Sequence, residues 1–123
     1  MTQQNSASPH VIGVIQRLTD SGITFNASHD GPAGKISVTL TPSQLEMFLC
    51  DPAAAFASVY GITRGDYLSW QAAGYMAQCA ELTTKGRQCL NPVHGGHLVA
   101  TPDRWVALRG DYCLIHQERT AND

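Results

Sequence analysis

The stretch that decides the fold of the C-terminal part is Cys79-Ala-Glu-Leu-Thr-Thr-Lys-Gly-Arg-Gln-Cys89, followed later by Tyr112-Cys113-Leu-Ile-His116. The first two cysteines flank nine residues centred on Thr84-Lys85-Gly86, a composition typical of a β-hairpin turn. The C-x2-H spacing brings a sulfur and a ring nitrogen together on one turn of helix. Zn²⁺ prefers four nitrogen or sulfur ligands in a tetrahedron, so the sequence predicts a structural zinc site with no open position for chemistry. The predicted metal ligands are Cys79, Cys89, Cys113 and His116.

Other uses of the cysteines stay open. With Cys50 they number four, enough for two disulfides, but residues 1–9 contain neither the basic nor the apolar segment of a secretory signal. Cys50 follows an apolar run, where a free buried thiol is the ordinary expectation. A nucleophilic pair of Cys113 and His116 would indicate a cysteine-dependent enzyme, although it leaves the other cysteines unexplained.

The identity of the fourth ligand is also open. Either His94 or His97 could replace His116, and the Gly95-Gly96 pair between those two histidines predicts a turn. The C-x2-H pair is the better candidate because it is local, so that closing the loop costs less entropy.

The C-x9-C…C-x2-H pattern resembles the plant WRC-type zinc domain and small bacterial and phage proteins that share the Tyr-Cys-x2-His ending. The resemblance covers residues 79–116, and twenty-three residues separate Cys89 from Cys113, more than in the plant pattern. It implies that the four residues named above bind zinc, that Tyr112 packs beside them, and that the unit binds DNA. The plant domain is rich in Arg and Lys around its ligands, and this chain is not.

Length and composition predict one small globular protein, divided into a helical body with a β-hairpin (1–78) and a zinc-binding unit packed on it (79–123). The hydrophobic content is 43%, yet no apolar run is long enough to cross a bilayer, and we expect a cytoplasmic protein. Residues 1–78 carry three cationic and five anionic side chains, and the net charge of the whole chain is −2. Charge therefore argues against nucleic acid as the partner.

The body is predicted to be α+β: an N-terminal helix, a small β-hairpin and three short helices, followed by the zinc-clamped hairpin and helical turn. Pro9 opens a helix to about Thr19, and residues 22–26 and 35–40 alternate as two strands around a turn at 29–34, with His29 exposed near it. Capping signals at Thr41, Asp51 and Thr63 start helices that reach about Cys50, Tyr60 and Ala77.

The function favoured by these features is non-enzymatic: a zinc-stabilised regulatory or adaptor protein that binds another macromolecule, most simply a protein. The composition also fits a mobile-element inhibitor of a host complex. The alternatives are a DNA- or RNA-binding regulator, which would use the helical corner at 57–76 and the basic zinc hairpin, and the Cys113/His116 enzyme. Arginine and tryptophan dominate interface hot spots, and the expected partner face is Arg87, Arg104, Trp105 and Arg109.

Overall fold

The computed structural model describes residues 9–81, 86, 89–93, 95–111 and 113. Within them the chain forms five helices and a two-stranded antiparallel sheet, with three cysteines clustered in the C-terminal region, which confirms the predicted α+β class. The elements are α1 Pro9–Asp20, β1 Phe25–Gly31, β2 Gly34–Leu40, α2 Pro42–Cys50, α3 Pro52–Tyr60, α4 Arg64–Ala72 and α5 Pro102–Leu108. Among these helices, none is long and apolar enough to cross a membrane.

The three central helices begin at the predicted caps. The Thr41 hydroxyl accepts the Gln44 N–H at 3.1 Å and the Thr41 N–H donates to the Gln44 side chain at 3.0 Å, so this capping box is complete. Asp51 and Thr63 each accept the N–H three residues later. Gly61 ends α3 at φ 70°, a left-handed conformation that glycine adopts without strain.

Helix α4 ends earlier than predicted, at Ala72 rather than near Ala77. Gly74 and Tyr75 both adopt positive φ, 63° and 68°, and turn the chain back toward the core. The Tyr75 carbonyl then accepts the Val99 N–H at 2.6 Å, a contact that a continued helix could not make. The apolar residues beyond the helix therefore belong to a packed extended segment.

Helix α5 was not predicted, although Thr101-Pro102 matches the Thr41-Pro42 pair at the start of α2; the Thr101 side chain makes no capping hydrogen bond. Pro102 occupies the first turn, where its missing N–H is not needed. The predicted zinc hairpin residues 82–85, 87 and 88, and the final helical turn around His116, lie outside the described residues.

The β-hairpin forms, with a tighter turn than predicted: β1 runs on to Gly31, which pairs with Gly34. As a result His29 lies inside a strand and is 3% exposed, which corrects its expected exposure. In the neutral tautomer that fits both contacts, its Nδ1 donates to the Asp30 carbonyl at 2.9 Å and the Tyr60 hydroxyl donates to its Nε2 at 2.7 Å. The imidazole thus attaches the sheet to α3.

The main core joins the helices to the long segment between the second and third cysteines. Trp70 is fully buried, and its indole N–H donates to the Val99 carbonyl at 3.0 Å. The Trp105 indole N–H donates to the Met76 carbonyl at 2.9 Å. The buried members of this core are Phe56, Ala57, Tyr67, Trp70, Ala77, Val93, Val99 and Trp105.

Two glycines on either side of the α3–α4 turn are expected to respond oppositely to alanine. Gly61→Ala should lower the free energy of unfolding by about 1 kcal/mol, because its φ of 70° strains a residue with a Cβ. Gly65→Ala should raise it by roughly 0.5 kcal/mol, because Gly65 lies inside α4 and the new Cβ would meet only the Thr63 hydroxyl at 3.9 Å. Urea unfolding of the two variants measures both changes, and equal effects would contradict the assigned α3 C-cap.

Candidate metal centre

Two antiparallel segments, 77–81 and 89–93, hold the first two cysteines of the cluster. The Cys79 N–H donates to the Asn91 carbonyl and the Cys89 N–H donates to the Glu81 carbonyl, both at 2.8 Å. Nearer the core, the Val93 N–H donates to the Ala77 carbonyl at 2.8 Å. This ladder holds Cys79 and Cys89 on neighbouring extended segments with their backbones fixed by hydrogen bonds.

The third cysteine returns to the same place after the long excursion through α5. The Ala80 N–H donates to the Asp111 carbonyl at 2.9 Å, two residues before Cys113. The excursion begins with a turn closed by the Gly96 N–H and the Val93 carbonyl at 2.8 Å, as the Gly95-Gly96 pair predicted. A Cβ on Gly96 would lie 2.9 Å from the Ala77 carbonyl oxygen, so the close approach of these segments requires glycine.

The three sulfur atoms form one buried group. The Sγ atoms of Cys79, Cys89 and Cys113 lie within 4.8 Å of one another, and the residues are 0%, 5% and 4% exposed. None of the three is in a disulfide. The cluster could therefore bind a metal ion through three thiolates.

N–H groups donate hydrogen bonds to these sulfurs. The Glu81 N–H donates to the Cys79 sulfur at 3.5 Å, and the Asn91 side-chain amide donates to the Cys113 sulfur at 3.9 Å. Donors to sulfur favour the thiolate and orient it, as the outer shell of a metal site does. The sequence motif did not identify Asn91 as a supporting residue. Its position two residues after Cys89 was the available signal.

The sulfurs also influence one another electrostatically. The Asn91 backbone N–H donates to the Cys89 sulfur and lowers the pKa of that thiol. Burial and the neighbouring Cys79 and Cys113 sulfurs raise the pKa by more, so it lies above the ordinary value. The raised pKa favours the neutral thiol, so a thiolate at Cys89 would need a compensating cation, which a bound metal ion would supply.

Of the remaining ligand candidates, the described part of the chain includes His97 and Cys50. His116 and His94 lie outside the described residues. His97 is exposed and does not belong to the group of ligand atoms formed by the three sulfurs. Cys50, on α2, is also separate from that group. The fourth ligand therefore stays a prediction.

The residues of the expected partner face have different environments. Trp105 is 8% exposed and packs in the main core, and the assignment of these four residues to a partner face stays a prediction. The burial of Trp105 follows from the N–H bond to Met76. Arg104 is exposed, Arg109 lies over the Trp105 ring at 5.5 Å from its centroid, and Arg87 lies outside the described residues.

The helical corner formed by α3 and α4 has the geometry of two helices joined by a glycine turn, but its arginine is neutralised. Arg64 pairs with Asp51 at 2.8 Å. Asp66 pairs with Arg109, and this hydrogen bond lowers the pKa of the Asp66 carboxyl. Cations held by carboxylates in this way are poorly suited to neutralise phosphates.

Comparison with models of known protein families, with curated proteins and with solved structures finds no match to this chain. The assignment of the site therefore depends on its own geometry.

The burial of the sulfurs predicts how the thiols react. In the folded protein Cys50, which is partly exposed, should react first with a thiol reagent such as dithiobis(nitrobenzoate). The three clustered cysteines should react only on unfolding, because the reagent needs an accessible thiolate. Four thiols reacting together in the native protein would contradict the buried cluster, and a Cys50→Ser variant identifies the early phase.

Proposed function

We propose that this chain is a non-enzymatic, zinc-stabilised regulatory or adaptor protein that binds another protein. The observation that carries the proposal is the buried group of three sulfurs, placed by backbone hydrogen bonds and by a segment that also builds the main core. A metal ion bound there would stabilise the fold, because it would link segments that are far apart in the sequence.

Zinc fits the donor set. A tetrahedral zinc ion with Zn–S bonds of about 2.3 Å spaces its sulfurs by about 3.8 Å, which a cluster with sulfurs within 4.8 Å reaches by small side-chain movements. Thiolate-rich sites select zinc over hard cations such as Mg²⁺ and Ca²⁺. His116 completes the set through its C-x2-H spacing from Cys113, in agreement with the resemblance to the WRC-type pattern.

A structural role is favoured over catalysis. A nucleophilic cysteine must meet its substrate, whereas Cys113 is 4% exposed and its sulfur neighbours two others. A metal held by three buried thiolates and one imidazole has no open coordination position for water. These features argue against the Cys113/His116 enzyme.

Charge and surface chemistry support a protein partner. Three of the five cationic side chains in the described part of the chain, Lys35, Arg64 and Arg109, each pair with a carboxylate, which reduces the positive charge they offer to phosphates. Large apolar side chains are at the same time exposed, including Leu90 and Leu98 on either side of the turn that follows the second cysteine. Exposed leucines suit contact with a protein. An inhibitor of a host complex, as the composition suggested, would be one such protein-binding role.

Zinc content should follow the cluster. We expect about one zinc ion per chain in the purified protein and its loss on Cys79→Ser, Cys89→Ser or Cys113→Ser, with a large drop in melting temperature. Structural zinc contributes on the order of 10 kcal/mol to folding, comparable to the whole stability of a domain. Cys50→Ser is the matched control and should keep both zinc and melting temperature. Protein that contains no stoichiometric metal and melts identically with and without chelator would overturn the zinc assignment.

The affinity for zinc tests which histidine is the fourth ligand. His116→Ala should weaken zinc binding, while His97→Ala should not, because His97 is exposed away from the sulfurs. Competition with a chromophoric chelator gives both affinities.

The protein-partner proposal predicts weak and nonspecific contact with nucleic acid. A fluorescent DNA duplex should bind with a Kd no tighter than about 10⁻⁴ M at physiological salt. Arg64→Ala and Arg104→Ala should leave that affinity unchanged. Tight binding that falls steeply between about 50 and 200 mM salt, and falls further in these variants, would establish the DNA-binding alternative instead.

A further inference from the structure

Asn91 contacts all three cysteines of the sulfur cluster, each through a different chemical group. Its backbone carbonyl accepts the Cys79 N–H at 2.8 Å. Its backbone N–H donates to the Cys89 sulfur, and its side-chain amide donates to the Cys113 sulfur at 3.9 Å. The first two contacts use main-chain atoms, which any residue except proline supplies, whereas the third requires a side chain with an N–H donor. A substitution at position 91 therefore acts first on Cys113.

Cys113 is also the cysteine that the ladder of segments 77–81 and 89–93 does not contain. It follows the long excursion through α5, and the bond from the Ala80 N–H to the Asp111 carbonyl fixes the main chain two residues before it. Beyond that point the sulfur can occupy several staggered rotamers, and a donor beside one of these positions favours it over the others. The Asn91 amide thus joins the Cys113 sulfur to the ladder that already holds the first two cysteines.

We propose that Asn91 is a positioning residue of the metal centre, whose side-chain amide holds the Cys113 sulfur where it meets the other two sulfurs around a metal ion. A thiolate is a stronger acceptor than a thiol, so this hydrogen bond strengthens when the sulfur is ionised by a bound metal. The inference rests on the proposed function, because it assigns Asn91 a role toward the ion that the proposed function requires.

The surroundings of Asn91 make this role separable from folding. Asn91 is exposed and does not belong to the main core, so a new side chain there leaves the core and the backbone bonds of the ladder in place. Asn26 on β1 is a matched control, because it is also exposed and its side-chain oxygen accepts from the Thr39 hydroxyl at 2.8 Å. Replacing either asparagine removes one exposed side-chain hydrogen bond.

The zinc affinity of the full chain tests the proposal. Leucine has nearly the shape of asparagine but no side-chain N–H, so Asn91→Leu removes the hydrogen bond to Cys113 without adding charge. This variant should bind zinc about 10–100-fold more weakly, the range typical for loss of a partner of a metal ligand. Asn26→Leu should bind zinc as the wild type does. Competition with a chromophoric chelator gives these affinities, and equal affinities for Asn91→Leu and wild-type protein would overturn the inference.

Cobalt in place of zinc gives a readout that a loss of stability alone does not change. Co²⁺ bound to thiolates has sulfur-to-metal charge-transfer bands, and a hydrogen bond to the sulfur stabilises the electrons that are transferred. At saturating Co²⁺, Asn91→Leu should therefore move these bands to longer wavelength, while Asn26→Leu should keep the wild-type spectrum. Unchanged bands in the saturated Asn91→Leu protein would contradict a contact between the amide and the thiolate.

A measurement on unsubstituted protein decides the case in which Asn91→Leu does not fold. With ¹¹³Cd in the site, a proton hydrogen-bonded to a metal-bound sulfur acquires a scalar coupling to the cadmium nucleus through that bond. The side-chain amide protons of Asn91 should show this coupling and those of Asn26 should not, and its absence at Asn91 would overturn the inference.

Failure of the proposed function gives a different result. Wild-type protein that binds no stoichiometric zinc, cobalt or cadmium would overturn the metal centre and the role of Asn91 together. Failure of this inference alone would leave tight zinc binding in the wild type, with the same affinity in Asn91→Leu.

Discussion

The backbone pairing of segment 77–79 with segment 91–93 is the interaction on which the rest of the molecule depends. Ala77 and Val93 belong to the aromatic core, and Cys79, two residues further along the same extended segment, belongs to the sulfur cluster. Extended segments direct every second side chain to the same side. One short ladder therefore joins the two buried groups of the protein, and neither can be displaced without disturbing the other.

Two tryptophans add long-range hydrogen bonds to this connection. Each donates its indole N–H to a backbone carbonyl twenty-nine residues away, Trp70 to Val99 and Trp105 to Met76. A buried donor left without its acceptor costs about 1–3 kcal/mol, so the helices and the segment between the second and third cysteines fix each other's positions. This accounts for the burial of Trp105: the long segment fills the core where a shorter zinc pattern would only close a loop.

Local signals were the predictable part of this structure. Caps at Thr41, Asp51 and Thr63 depend on a few adjacent residues. The pattern of the three cysteines likewise predicted that they lie together in the folded chain. The early end of α4 was not predictable in this way, because the left-handed Tyr75 is held by its carbonyl's bond to distant Val99. The burial of His29 likewise depends on Tyr60, thirty-one residues away.

Charge pairing was equally hidden in the sequence. Residue counts showed a nearly neutral C-terminal part, but only the folded chain places Asp66 beside Arg109 and leaves Arg17 without a carboxylate among the described residues. Sequence composition gives the number of cations, whereas the fold decides which of them are available.

Buried residues are distributed unevenly along the chain. The buried residues of the main core and the sulfur cluster lie in the segments after α2. Helix α1 has one buried residue, Ile15, and it packs against α2, which has none. Binding surfaces come from the less stable regions of proteins, because a surface kept free for a partner cannot also be covered by its own chain. The C-terminal segments are fixed by backbone hydrogen bonds around three sulfurs that could bind a metal ion, so this part of the fold does not depend on the burial of α1. Any molecule that covered the exposed Val14 and Leu18 in the folded protein would stabilise the folded state by mass action.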